Sequence, residues 1–186
     1  YQKTFDILSV CGILLTVLVL AFSDKIIILL FGADFIRSAI SFRILIFSAL
    51  FVYLAIGSGS LLIVTDRQIV SMWFYILAAP LNIVLNLILI PRFGFMGAAI
   101  SNVVAMFLVI FLTLHYVSVK VKISLETTKI RKAIVIGLVT LGVLFYLKDL
   151  KLFISMPLGI LLYSFLVIFL KAIDTDDIIL LVKRKI

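Results

Sequence analysis

The chain has 186 residues, 65% of them apolar, and its 17 basic and 9 acidic side chains give a formal net charge of +8. Its mean hydropathy is +1.38, whereas soluble domains are about half apolar and about a quarter charged. A chain of this size cannot enclose so much apolar surface in a water-soluble fold. The composition therefore excludes an ordinary soluble enzyme and predicts an all-α polytopic membrane protein.

Six apolar runs are candidates for membrane-spanning helices, which need about 20 mostly apolar residues. In chain order they cover residues 7–22, 39–64, 69–90, 95–117, 133–147 and 152–170. A shorter apolar segment, 26–31, follows Ser23-Asp24-Lys25 and is predicted to lie at the interface, separate from the first span. Because backbone polar groups must be satisfied within hydrocarbon, each run is expected to be a helix.

The basic residues predict the orientation of these six spans. Placing both termini in the cytoplasm puts eleven of the 17 Lys and Arg residues inside and six outside, in agreement with the positive-inside rule. In the tail, 172–186, acidic residues come first and basic residues last. That order suits the dipole of a short amphipathic helix on the membrane surface, and a frayed basic tail is the alternative.

The third span carries polar residues at membrane depth. Asn82 and Asn86 are four residues apart and share a helix face with Ala78, while Pro80 predicts a kink because it removes one helical hydrogen bond. Such polar groups rarely face lipid. The pair is predicted either to hydrogen-bond a neighbouring helix or to bind a polar substrate such as a sugar.

Small residues mark predicted sites of close packing or hinging. The start of the fourth span has Gly94, Gly97, Ala98 and Asn102 at three- and four-residue spacing, a pattern typical of helix packing in membranes. The second span contains Gly57-Ser58-Gly59-Ser60, which weakens a helix. This second segment is interpreted either as a hinge or as another packing site.

Arg43 is a cation some five residues into the second span. Its long aliphatic stem allows the guanidinium to reach the interface. The alternative is that Arg43 points into a central cavity and binds phosphate or another anion. Both interpretations stay open at the level of sequence.

Several classes of chemistry have no signature in the sequence. The single cysteine excludes an intrachain disulfide, no residues have the spacing of metal ligands, and no glycine-rich loop matches a nucleotide-binding fingerprint. No basic-aromatic motif typical of nucleic-acid binding is present. We therefore expect no enzymatic activity, no catalytic residue, no metal, no cofactor and no nucleic-acid partner.

Three segments resemble a known family. Residues 81–101, with Asn82, Asn86, Gly94 and Gly97, are similar to a stretch shared by bacterial polysaccharide transporters. These are the O-antigen and capsule repeat-unit flippases of the multidrug/oligosaccharidyl-lipid/polysaccharide exporter superfamily. The segments 30–39 and 174–181 resemble further parts of the same proteins, with the spacing that a six-span layout requires.

The resemblance implies a two-lobed exporter of about twelve to fourteen helices, of which this chain is the C-terminal part. Residues 1–117 are then four helices of the second lobe, 118–132 a cytoplasmic loop, 133–171 two trailing helices, and 172–186 the cytoplasmic tail. The partners implied are a lipid-linked oligosaccharide, membrane lipids, the N-terminal half of the same protein, and the polysaccharide polymerase machinery.

The implied activity is transfer of undecaprenyl-pyrophosphate-linked repeat units from the inner to the outer leaflet of a bacterial inner membrane by alternating access. Arg43, Asn82 and Asn86 are the candidate substrate-binding residues. The alternatives are an exporter of peptidoglycan precursor or drugs, and a non-transporting membrane subunit of polysaccharide assembly.

Overall fold

The computed structural model describes residues 2–121, 128–147, 152–170 and 172, and this part of the chain is helical apart from short connections. The six α-helices are α1 Gln2–Phe31, α2 Ser38–Val64, α3 Gln68–Phe93, α4 Phe95–Tyr116, α5 Thr128–Tyr146 and α6 Leu152–Phe169. A short 3₁₀ turn, Ala33–Phe35, precedes α2, and a π-helical segment, Val117–Val121, extends α4. Among the described residues, every α-helix except α5 is long and apolar enough to cross a membrane.

The first helix corrects the prediction that residues 26–31 form a separate interfacial piece. α1 is one helix of 30 residues that passes through Ser23-Asp24-Lys25 without interruption. At 1.5 Å per residue it is about 45 Å long, enough to cross the hydrocarbon and both headgroup regions. The polar triplet contains no helix breaker, and the helix ends only before Gly32, whose φ of +92° is left-handed.

Successive helices are antiparallel. We call the N-terminal face the end of the bundle where α1, α3 and α5 begin and α2, α4 and α6 end. Two contacts between residues distant in the chain bring helix ends together on this face. Lys129 lies near Asp6, and Arg67 donates to the Lys120 carbonyl at 3.3 Å. We call the other end the opposite face.

The helices pack in a row. α3 packs on α4, α4 on α2 and α2 on α1, and both α5 and α6 pack on α1. One apolar core joins α1 to α5 and α6 through residues such as Phe22, Ile136 and Tyr163. A second core joins α2, α3 and α4 through small side chains, Ala55, Ala78 and Ala105. α3 lies at one end of the row, and Ala78 is its one buried residue.

The trailing helices α5 and α6 are held to α1 by specific contacts. The Tyr163 hydroxyl, in a side chain only 1% exposed, donates to the Val10 carbonyl at 3.0 Å. On α5, a Cβ added at Gly137 would lie 2.8 Å from a methyl group of Ile13. This glycine therefore permits the close approach of α5 to α1.

The predicted loop and tail are only partly described. Residues 118–121 continue α4 as the π-helical segment, and α5 begins at Thr128, five residues before the predicted start of its span. Both ends of the predicted 118–132 loop are thus helical. Residues 122–127, and all of the 172–186 tail except Ala172, lie outside the described residues.

Candidate functional site

Asn82 and Asn86 form a hydrogen-bonded pair along α3. The Asn86 side-chain nitrogen donates to the Asn82 side-chain oxygen at 2.8 Å, and both residues are partly buried. The Asn86 side-chain oxygen is buried and accepts no hydrogen bond from any described residue. A buried amide oxygen without a donor is unfavourable, so this atom can accept a hydrogen bond from a ligand or a water.

α3 and α4 approach each other closely at Leu89, about one helical turn beyond Asn86. A Cβ added at Gly97 would meet the backbone of Leu89 at 2.4 Å, so only glycine fits there. Gly94 connects the two helices with a left-handed φ of +57° and has no neighbour within 4 Å of an added Cβ. Gly97 is thus required for packing and Gly94 for the turn, while Ala98 is only partly buried.

Asn102 links α4 to α2 and lines a groove. Its side-chain nitrogen donates to the Ser48 hydroxyl at 3.1 Å, and that hydroxyl donates to the Leu45 carbonyl at 2.7 Å. The groove has a volume of about 530 Å³ and is lined by Ser48, Ala49, Val52, Tyr53, Ile56, Asn102 and Met106. It therefore presents one amide and two hydroxyls on otherwise apolar walls, a composition suited to a ligand with both hydroxyl and apolar surfaces.

Asn86 of α3 and Asn102 of α4 lie at one depth, and Asn82 lies about one helical turn further from Gly94. Residues 86 and 102 are each eight positions from Gly94 in two antiparallel helices, so both lie about 12 Å from the turn. Ser48 of α2 lies beside Asn102, from which it accepts a hydrogen bond. We call Ser48, Asn82, Asn86 and Asn102 the polar belt; it lies within the spanning part of three helices.

Arg43 lies outside the polar belt and already has partners. Its guanidinium forms a short ion pair with Asp24 and donates from Nε to the Ser23 hydroxyl. Both partners belong to α1, at the position where the sequence predicted a break. Arg43 therefore joins α2 to α1 near the opposite face, an arrangement that neither sequence interpretation included.

The glycines of α2 have different surroundings. A Cβ added at Gly57 would lie 2.9 Å from the Cα atom of Phe5, whereas one added at Gly59 would meet nothing within 4 Å. α2 continues through both residues without interruption. α3 likewise continues through Pro80, and the kink predicted there stays a prediction.

Sequence reasoning missed Asp6, which is only 3% exposed. Its carboxylate lies 3.3 Å from the Lys129 ammonium and accepts a hydrogen bond from Gln2 at 2.8 Å. Asp6 immediately precedes the predicted first span, which begins at residue 7, and therefore lies outside the predicted helices. The Gln2–Asp6 spacing of four residues is the one sequence signal for a helix that begins earlier.

Comparisons with known proteins give two distant relatives. The chain is 29% identical over 153 residues to a protein of Haloferax volcanii described as a probable low-salt glycan biosynthesis flippase, covering 78% of this chain and 32% of the relative. It is 27% identical over 136 residues to an uncharacterized membrane protein of Methanocaldococcus jannaschii, covering 73% of this chain and 27% of the relative. No known family profile and no solved structure matches it.

The apolar helices and the membrane-protein relatives together indicate that the chain is a multi-pass α-helical membrane protein. It is similar to one protein named as a probable glycan flippase and to one named as a membrane protein. The chain spans about a third or less of the length of the curated relatives it matches. Neither relative is described as an O-antigen transporter, so the polymer, the carrier lipid and the bacterial inner membrane belong to the proposal below.

Proposed function

We propose that the chain is part of a flippase that moves a lipid-linked oligosaccharide across a membrane. The similarity to a probable glycan biosynthesis flippase supports the substrate class. In its specific form, the proposal is an exporter of about twelve to fourteen helices in two lobes, with its C-terminus in the cytoplasm. Its cargo is an undecaprenyl-pyrophosphate-linked repeat unit of O-antigen or capsule, and it works in a bacterial inner membrane by alternating access.

The polar belt is the structural observation on which this proposal depends. A sugar crossing the bilayer loses water from its hydroxyls, and each unpaired hydroxyl costs free energy in hydrocarbon. The unpaired Asn86 oxygen and the amide and hydroxyls of the α2–α4 groove offer replacements at membrane depth. Asn82 and Asn86 thus remain proposed substrate ligands, and Asn102 is added to them.

Arg43 keeps a proposed role with the pyrophosphate on one condition. Its guanidinium is paired with Asp24, so binding the substrate requires it to exchange a carboxylate for a phosphate. Arginine forms bidentate hydrogen bonds with both groups. In this proposal, Arg43 alternates between Asp24 and the pyrophosphate during the transport cycle.

Deletion of the full-length gene tests the function directly. The expected result is loss of surface polysaccharide, seen on a gel, with lipid-linked repeat units accumulating on the inner leaflet, seen by mass spectrometry. Normal polymer without a trapped intermediate would overturn the proposal and direct the search to drugs or cell-wall precursors.

Substitution in the polar belt tests the site. In the complemented strain, Asn86→Leu should lower export by about tenfold, because an apolar side chain cannot replace the amide's hydrogen bonds with substrate. Ile88→Ala is the matched control, since this α3 side chain is about half exposed and should leave export unchanged. Normal export in Asn86→Leu with a lower melting temperature in detergent would assign the pair to packing alone.

A further inference from the structure

A basic cleft lies on the N-terminal face, between α5 and the end of α6. It has a volume of about 390 Å³ and is lined by Thr128, Arg131, Lys132, Val135 and Leu170. Two of these side chains are cations, one is a hydroxyl donor, and two are aliphatic. The cleft is distinct from the polar belt, which belongs to α2, α3 and α4.

The cations of α5 divide between two environments. Lys129 turns towards α1, where it meets the buried carboxylate of Asp6 at 3.3 Å. Arg131 and Lys132 are exposed and line the cleft. Their charges are not neutralised by any carboxylate of the described residues.

Lys132 is held in place at the cleft. Its ammonium donates to the Leu170 carbonyl at 3.2 Å. Leu170 directly follows α6, so this bond satisfies a carbonyl at the helix end. This contact fixes one positive charge beside an aliphatic wall, and no carboxylate among the described residues pairs with it. Arg131 contributes a second cation in the same cleft.

The ligand that matches these groups is an amphipathic anion. A guanidinium binds two phosphate oxygens at once, and an ammonium and a hydroxyl supply further donors. The aliphatic wall of Val135 and Leu170 suits the glycerol backbone or the first methylenes of a lipid. Basic pockets between membrane helices at the cytoplasmic surface are known to hold anionic lipid head groups.

We propose that this cleft binds the phosphate of an anionic membrane lipid. The inference does not rest on the proposed function, because a phospholipid site on α5 and α6 is compatible with any cargo. A phosphorylated polyprenol carries the same phosphate chemistry, so the test must separate that source from an ordinary phospholipid.

The test is native mass spectrometry of the full-length protein in nanodiscs. Phosphatidylglycerol, phosphatidylcholine and a polyprenyl phosphate are supplied in separate arms, and inorganic phosphate is added as a competitor. The variants are Arg131→Gln and Arg131→Gln/Lys132→Gln. Lys120→Gln is the control, since Lys120 is an exposed cation on the same face whose backbone carbonyl, and not its side chain, is used by Arg67.

The expected result is retention of phosphatidylglycerol by the wild type and the control, with affinity lower by roughly tenfold or more in the double variant. Arg131→Gln should show part of that loss and keep the fold, because Arg131 has no hydrogen bond or ion pair with the described residues. A loss confined to polyprenyl phosphate would assign the lipid phosphate to the carrier. Equal lipid retention in all variants, or binding of inorganic phosphate alone, would overturn the proposal.

Discussion

Two ion pairs join α1 to other helices and neutralise charged side chains there. Arg43 of α2 meets Asp24 of α1, and Lys129 of α5 meets Asp6 of α1. A lone charge in hydrocarbon is costly, and pairing reduces that cost. The two pairs differ in burial: the Arg43 and Asp24 side chains are 38% and 52% exposed, while those of Lys129 and Asp6 are 23% and 4% exposed.

The exposed pair allows stability and function to be separated at Arg43. Arg43→Ala and Asp24→Asn each break the same ion pair, which should lower the free energy of unfolding by about 1 kcal/mol or less, and Arg43→Ala has the larger effect because it also removes the hydrogen bond to Ser23. Only Arg43→Ala removes the proposed phosphate ligand, and it should abolish export while Asp24→Asn retains more than half. Export assays with matched protein levels, together with melting curves in detergent, check both parts. Equal export in the two variants would contradict the proposed role of Arg43 in binding phosphate.

Replacement of glycine by alanine can be compared at two positions, one crowded and one open. Gly97→Ala places its Cβ 2.4 Å from the Leu89 carbonyl oxygen, and backbone cannot move aside cheaply, so we expect a loss of about 2 kcal/mol. Gly59→Ala adds a Cβ in open space and should stabilise the helix by about 0.5–1 kcal/mol. Thermal unfolding of the full-length protein in detergent measures both. Similar melting temperatures would show that α3 and α4 are not held at this distance in the membrane.

Between elements, the Asp6–Lys129 pair couples α5 to α1. Lys129→Met leaves the Asp6 carboxylate buried without its cation, which should cost about 3 kcal/mol of unfolding free energy. Asp6→Asn/Lys129→Met removes both charges and should recover at least half of that loss. A double-mutant cycle from chemical denaturation gives the coupling energy. A double variant as unstable as the single one would show that the packing of Lys129, and not its charge, holds α5.

Features encoded by neighbouring residues could be predicted from the sequence, and contacts between distant helices could not. The apolar runs predicted the helices well, because hydrocarbon leaves the backbone few alternatives. The break predicted at Ser23-Asp24-Lys25 is absent, and the pairing of Asp24 there with Arg43, nineteen positions away, cannot be read from the sequence. The Ser48–Asn102 and Asp6–Lys129 contacts also join distant helices, and residue spacing along one helix carries no information about them.

At the scale of the whole molecule, the described basic residues are unevenly divided between the two faces. The N-terminal face has six of them and the opposite face four: Lys3, Arg67, Lys120, Lys129, Arg131 and Lys132 against Lys25, Arg37, Arg43 and Arg92. By the positive-inside rule, this favours a cytoplasmic N-terminal face. The proposed lipid site would then lie at the cytoplasmic surface.

Cysteine labelling checks that orientation. In a Cys11→Ala background, Asp34→Cys on the opposite face should react with a membrane-impermeant maleimide added to intact cells. Gln68→Cys, on the N-terminal face, should react only after the membrane is permeabilised. Both parent side chains are exposed, so burial does not account for a difference. The reverse pattern would place the N-terminal face outside and contradict the predicted topology.

The turn at Gly94 has a consequence for biogenesis. Helix α3 ends at Phe93 and α4 begins at Phe95, so a single residue connects two helices of 26 and 22 residues. Such a connection keeps the adjoining ends of the two helices together at every stage of insertion. We therefore expect the two helices to enter the bilayer as one hairpin, with the contact at Gly97 formed early because it joins residues close in sequence.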